Sequence, residues 1–208
     1  MKIIVLLSAL LFGGTAMAQD TPQDTPQDTT PTTEQNFERA IFAAGCFWCI
    51  EPTYDNLDGV LETIVGYTGG HTENPTYQDV GTGTTGHTEA ILVIYDPAKV
   101  TYEKLLEQFW LNVDPFDGDG QFVDRGPQYR PGIFYFDEEQ RQLAVKTAND
   151  VEAQKGKRVE VEITEASAFW PAEEYHQEYY EKNPMRYKLY KMGSGRDSRL
   201  KSIWGDKK

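Results

Sequence analysis

The only two cysteines in this 208-residue chain sit three positions apart, in Gly45-Cys46-Phe47-Trp48-Cys49. No disulfide can therefore join distant segments, and whatever the chain folds into must be held by a hydrophobic core. A bridge between the two cysteines themselves would close so short a loop that it removes little unfolded-state entropy. The pair's position and spacing favour chemistry over stapling. Glycine before the first cysteine permits a close backbone approach where a strand turns into a helix. The positive end of a helix dipole at that point favours the thiolate form of cysteine. The Phe47-Trp48 insert sets an apolar wall beside the sulfur, which a general disulfide exchanger does not need.

Composition divides the chain into segments. Lys2, the apolar run from Ile3 to Phe12 and the small-x-small Ala16-Met17-Ala18 read as an export signal over 1–18, with cleavage near Ala18. The run is too short to span a bilayer, which takes about 20 residues, so no stable membrane insertion is expected. Residues 19–36, with repeated Gln-Asp-Thr-Pro, lack large apolar side chains and are expected to be a solvated tether. The folded domain is expected over 37–190, followed by a cysteine-free C-terminal tail over 191–208. Aromatic residues make up 12% of the chain, ample for one core. A net charge of −13 argues against nucleic acid and anionic membrane surfaces as partners.

Hydrophobic periodicity outlines the domain. Strands are expected over 39–43, 60–66, 88–95, 133–136 and 159–164. Helices are expected over 46–56, 101–113 (capped by Thr101), 137–154 (capped by Asp137, with Gln140 three residues on) and 172–182. Asn74 to Val80 reads as a short helical turn, and 114–130 as a long Gly/Asp/Pro loop of the kind that carries function. Strands and helices alternate without a regular βα repeat. This predicts an α+β chain folded as a two-layer α/β sandwich with a mixed sheet, ferredoxin-like in outline.

The cysteine pair supports three chemistries: a nucleophile with a resolving partner, thioredoxin-like disulfide exchange, or half of a zinc site. Zinc needs two more ligands. Only His71, His87 and His176 are available, none at the short spacing of a zinc-binding histidine pair, so no metal is expected. Spacing alone does not separate the other two. Glu89 helps: in Glu89-Ala90-Ile91-Leu92-Val93 it shares a strand face with Ile91 and Val93. A carboxyl on an apolar face has a raised pKa and can donate a proton to an oxygen-bearing substrate.

Gly45-Cys46-Phe47-Trp48 resembles the signature of the A-type peptide methionine sulfoxide reductases, here with cysteine at 49. So do Gly66-Tyr67-Thr68-Gly69-Gly70-His71, Asn74-Pro75-Thr76-Tyr77, Gly86-His87-Thr88-Glu89, Tyr95-Asp96-Pro97, Asp124-Arg125-Gly126-Pro127-Gln128-Tyr129-Arg130, His176-Gln177-Glu178-Tyr179 and Asn183-Pro184. The segments occur in the family's order over roughly 37–190. The resemblance implies reduction of the S epimer of methionine sulfoxide, free or in oxidised proteins, as protein repair without a cofactor. It implies Cys46 as the nucleophile that becomes a sulfenic acid and Glu89 as the acid protonating the sulfoxide oxygen. Tyr77 and Tyr129 match the residues that hold that oxygen, Phe47 and Trp48 the wall for the ε-methyl group, and Asp124 an aspartate near the site. His176 is read as a packing or hydrogen-bonding residue of the last helix, outside the catalytic set. Many relatives have glycine at position 49 and resolving cysteines in the tail, which this chain lacks. Resolution is therefore expected from Cys49, with a thioredoxin-like dithiol as reductant, or from an external thiol acting directly. A monomer, periplasmic or secreted, completes the expectation.

Overall fold

The computed structural model describes residues 36–206. The expected export signal and all but the last residue of the expected tether lie outside them. Strand β1 (Glu38–Ala43) leads into helix α1 (Phe47–Asp55), then β2 (Val60–Thr68), α2 (Tyr77–Gly81), β3 (Thr88–Tyr95) and α3 (Tyr102–Leu111). A small hairpin of β4 (Gly120–Gln121) and β5 (Asp124–Arg125) and a 3-10 turn (Pro127–Tyr129) interrupt the long loop. After it come β6 (Gly132–Tyr135), α4 (Glu138–Lys155), β7 (Glu162–Glu165) and β8 (Trp170–Pro171). Three short helices follow: α5 (Tyr179–Lys182), α6 (Pro184–Gly193) and α7 (Arg196–Trp204).

Six strands form one sheet in the order β7-β6-β1-β3-β2-β8. Only β6 and β7 run parallel, so the sheet is mixed. Its main face carries Ala40, Phe42, Val65, Tyr67, Ile91 and Val93 against α1, α3 and α4, while Ile41, Ala43, Ala90 and Phe134 form a smaller cluster on the other face. Phe42 sits at the centre, its ring 5.4 Å from Tyr54, 5.5 Å from Phe109 and 6.1 Å from Tyr102. Burying a side chain of this size contributes about 1.5–3 kcal/mol. Helices on one face of a sheet give the expected two-layer sandwich.

The helix caps follow the sequence signals. Thr101 Oγ1 accepts from Lys104 N, and Asp137 Oδ1 accepts from Gln140 N at 2.8 Å. Gln140 reaches back one residue further than a capping box requires, accepting from Phe136 N and donating to Arg39 O at 2.7 Å, so the cap also ties α4 to β1.

Three expectations differ from the fold. The last expected strand, β7, begins at Glu162 rather than at 159. The helix expected over 172–182 is only one turn, α5, because Glu178 has φ +50 and the preceding residues serve the sheet edge. There Gln177 mimics a strand: its Oε1 accepts from Val65 N and its Nε2 donates to Val65 O, both at 2.9 Å. Finally, the boundary drawn after Tyr190 falls inside α6. Beyond it α7 buries Leu200 and sets Trp204 on the core, under Lys155.

The turn from β1 to α1 needs its glycine. Gly45 has φ +75, and a Cβ there would lie 2.5 Å from Gln121 Cβ. Gly45→Ala should therefore lower stability by about 2–4 kcal/mol, combining backbone strain with overpacking. Urea unfolding measures it; a change under about 0.5 kcal/mol would show that the turn relaxes freely.

Candidate active site

Cys46 occupies the N-cap position of α1, with its backbone still extended (φ −52, ψ 119) and no side-chain cap bond. The first helical hydrogen bond runs from Cys49 N to Cys46 O at 3.0 Å, and the two side chains are hydrogen-bonded to each other. Both cysteines are free and buried. Strand β3 brings Glu89 to the same place: Tyr67 faces it across the β2–β3 ladder, and its Oε2 accepts from Phe47 N at 3.0 Å. The carboxyl thus caps the helix whose first turn carries the thiols, although 42 residues separate them.

Burial dominates the electrostatics. Removal from water pushes Glu89 up to about 8, against the pull of the Phe47 amide, with Asp124 and Cys49 adding to the rise. Because Oε2 accepts from Phe47, the other oxygen is left to carry the proton at neutral pH. The Cys46 thiol is raised well above its ordinary value by burial first, then by Cys49 and the Glu89 charge, with the Tyr190 hydroxyl opposing. The helix position alone suggested a thiolate at Cys46; desolvation outweighs it. Cys49 instead falls to about 7, through the hydrogen bond from Cys46, against burial, and with help from Arg196 and Lys191. Of the two thiols, Cys49 is thus the more readily ionised.

Three tyrosines surround these groups. Tyr77 and Tyr129 are half-buried and hydrogen-bonded to each other. Burial, Glu89 and Cys46 push Tyr77 up to about 12, and Tyr129 rises through burial and Glu89, so both stay protonated donors. Tyr190 hydrogen-bonds both Asp124 Oδ2 and Cys46. Asp124 lies in β5, raised by its own burial and held by that tyrosine. Trp48 is half-buried and stacks on Tyr179 with centroids 3.8 Å apart, while Tyr190 meets its edge at 5.8 Å. Phe47, only 1% exposed, packs against Tyr67 and His176 and backs the site from within the core.

The structure brings Cys46, Cys49, Glu89, Phe47, Trp48, Tyr77, Tyr129 and Asp124 into one cluster. His176 belongs to it as well, in the turn before α5 rather than in a helix. Its Nδ1 accepts from Trp48 Nε1 at 3.0 Å and fixes the indole, and burial lowers its pKa to about 4, so it stays neutral. Tyr190 was absent from the sequence expectation. Its signal is the Tyr187/Tyr190 pair, three apart on the inward side of a helix whose Met185, Leu189 and Met192 are exposed. Among the described residues no three His, Cys, Asp or Glu side chains converge as a metal ion would require.

A buried dithiol at a helix N-terminus, with a buried carboxyl bonded to the amide next to the first thiol, is the equipment of a thiol-dependent reductase of an oxygen-bearing substrate. Residues 38–208 match the family model of peptide methionine sulfoxide reductases, and the chain belongs to that family, on its A-type branch. The peptide methionine sulfoxide reductase MsrA of Listeria innocua is 50% identical over 174 residues, covering 83% of this chain and 98% of that protein. Among solved structures, methionine sulfoxide reductase A of Corynebacterium diphtheriae has a TM-score of 0.66 and 34% identity, over 73% of this chain and 77% of that one. Mxr1 from Saccharomyces cerevisiae in reduced form has a TM-score of 0.67 and 30% identity, over 71% and 86%.

Proposed function

We propose that this chain reduces the S epimer of methionine sulfoxide, free or in oxidised proteins, through the Cys46–Cys49 pair. The observation that carries the mechanism is the Glu89 carboxyl, buried, raised to about 8 and bonded to the amide next to Cys46. Glu89 protonates the sulfoxide oxygen as the Cys46 sulfur attacks, and the carboxylate left behind takes up the proton that Cys46 loses, which restores the acid. The net change moves oxygen from the substrate sulfur to Cys46. The substrate gains two electrons, and the thiol becomes a sulfenic acid. Tyr77 and Tyr129 hold the oxygen while charge develops on it, as preorganised donors in a site shielded from water. Trp48, with Phe47 behind it, receives the methyl group, in keeping with the affinity of sulfur for aromatic rings. Asp124 orients the Tyr190 hydroxyl toward Cys46.

Cys49 then closes the disulfide and releases water, and an external dithiol of the thioredoxin kind reopens it by exchange. Export is part of the proposal and is supported by the Lys2-to-Ala18 pattern.

Cys49→Ser isolates the second step. The variant should form about one methionine per protein and then stall when thioredoxin is the only reductant. Counting methionine over the first and later turnovers decides it. Undiminished recycling by thioredoxin would show that another thiol resolves the sulfenic acid.

A further inference from the structure

Among the described residues Arg196 is the largest of the fully buried side chains, 2% exposed, and it comes from the C-terminal segment rather than from the motifs around the thiols. The segment is shaped to deliver it. Ser194 Oγ donates to Lys191 O at 2.7 Å and accepts from Arg196 N, and Gly195 at φ +73 reverses the chain into α7. The guanidinium then enters beneath the cysteine loop. Nη2 donates to Ala44 O at 2.8 Å, two residues before Cys46, and Nη1 donates to Asn112 O at 2.7 Å. Its Cζ lies over the Phe122 ring, 4.3 Å from the ring centre. A Cβ on Gly45 would be 3.5 Å from Nη2, which measures how closely the charge approaches the turn.

These hydrogen-bond partners are neutral carbonyls and a ring face. None of the three carries a charge to cancel that of the guanidinium. Burying a cation in this way is expensive, and an apolar side chain could fill the same space. Its field falls on the groups around the thiols, and it favours the charged forms of both Cys49 and Asp124.

We propose that Arg196 is a positioning residue for the resolving step: clamped to the Ala44 and Asn112 carbonyls, it keeps Cys49 in its nucleophilic thiolate form beside the oxidised Cys46. In the reduced pair the hydrogen bond from the Cys46 thiol is the largest influence holding Cys49 low. Once Cys46 carries the sulfenic oxygen that thiol proton is gone, whereas the Arg196 charge remains. The Cys49 thiolate then attacks the Cys46 sulfur. The S–S bond forms, the S–O bond breaks, and hydroxide departs and takes up a proton to become water. Cys49 is oxidised and the Cys46 sulfur reduced. The other groups acting on the pair are Lys191, Tyr187 and Tyr190 from α6, Asp124 from β5 and Glu89 from β3. Of these only Lys191 is cationic, and it is half-buried rather than fully enclosed.

The inference rests on the reductase reading, and a two-step count keeps their failures apart. Full-length reduced protein is mixed with one equivalent of the S epimer of a blocked methionine sulfoxide and quenched over a range of pH. Methionine and the intramolecular disulfide are quantified separately. In Arg196→Gln the pH profile of disulfide formation should move up by about one unit, with a roughly tenfold loss near pH 6.5 that recovers above pH 9. The profile of methionine formation should stay in place. Arg196→Lys, which keeps the charge but not the two-carbonyl fork, should retain the native disulfide profile, and it serves alone if the glutamine variant does not fold. An unmoved profile in Arg196→Gln, a parallel slowing of both steps at every pH, or a lysine variant displaced like the glutamine one would overturn the proposal. Absence of methionine from the unmodified protein would sink the reductase reading itself.

Discussion

Cys46→Ser is expected to abolish methionine formation completely while leaving the fold intact. A serine hydroxyl remains protonated far above physiological pH and cannot accept the sulfoxide oxygen to give a reversible acid, so neither attack nor oxygen transfer can proceed. Cys46 is the N-cap of α1 and makes no side-chain capping bond. Serine is a preferred N-cap whose hydroxyl oxygen can accept the missing hydrogen bond from the first turn, worth about 0.5–2 kcal/mol. The thermal midpoint should hold or rise while activity vanishes, which separates loss of chemistry from loss of structure. Any measurable methionine from the purified variant would remove Cys46 from the role of nucleophile.

Glu89→Gln should slow methionine formation by about 10²–10⁴-fold, the usual contribution of a positioned general acid. Glutamine keeps an oxygen to accept from Phe47 N, so the helix cap survives and only the transferable proton is lost. In the native enzyme the chemical step should decline as pH rises through about 8, where Glu89 gives up its proton. That limb should be missing from the variant. The same group predicts stability. Its folded pKa lies above that of an unfolded glutamate near 4.3, so the folded state binds the proton more tightly. Its contribution is fully present below about pH 4 and is lost as pH rises through about 8. Relative to the native protein, the glutamine variant should gain resistance to urea between pH 5 and pH 9. A rate effect under threefold would instead favour disulfide exchange, which makes little use of Glu89.

The parts of this site carried by short, periodic segments were legible in the sequence. Alternation in β3 placed Glu89 on the face of Ile91 and Val93, and both of those are fully buried. Apolar spacing found α3, and Thr101 and Asp137 marked two helix starts that the structure keeps. What escaped depends on distant contacts. Gln177 completes the edge of β2 with its side chain, so the stretch before α5 forms turns rather than a helix. Two-residue β8 has no period to detect. Arg196 looks like one charge among many in a polar tail, and only folding shows it beneath Ala44. The Cys46 thiol is the clearest case of local reasoning overruled: the helix terminus favours the anion, but burial and Glu89 together outweigh it.

The most direct test of the account is a single turnover without added reductant. Fully reduced protein receives the S and R epimers of a blocked methionine sulfoxide separately, and methionine formed and thiols lost are counted together. About one methionine per protein is expected from the S epimer, with both thiols consumed, and none from the R epimer. No methionine from the S epimer, or methionine formed with both thiols still free, would contradict it.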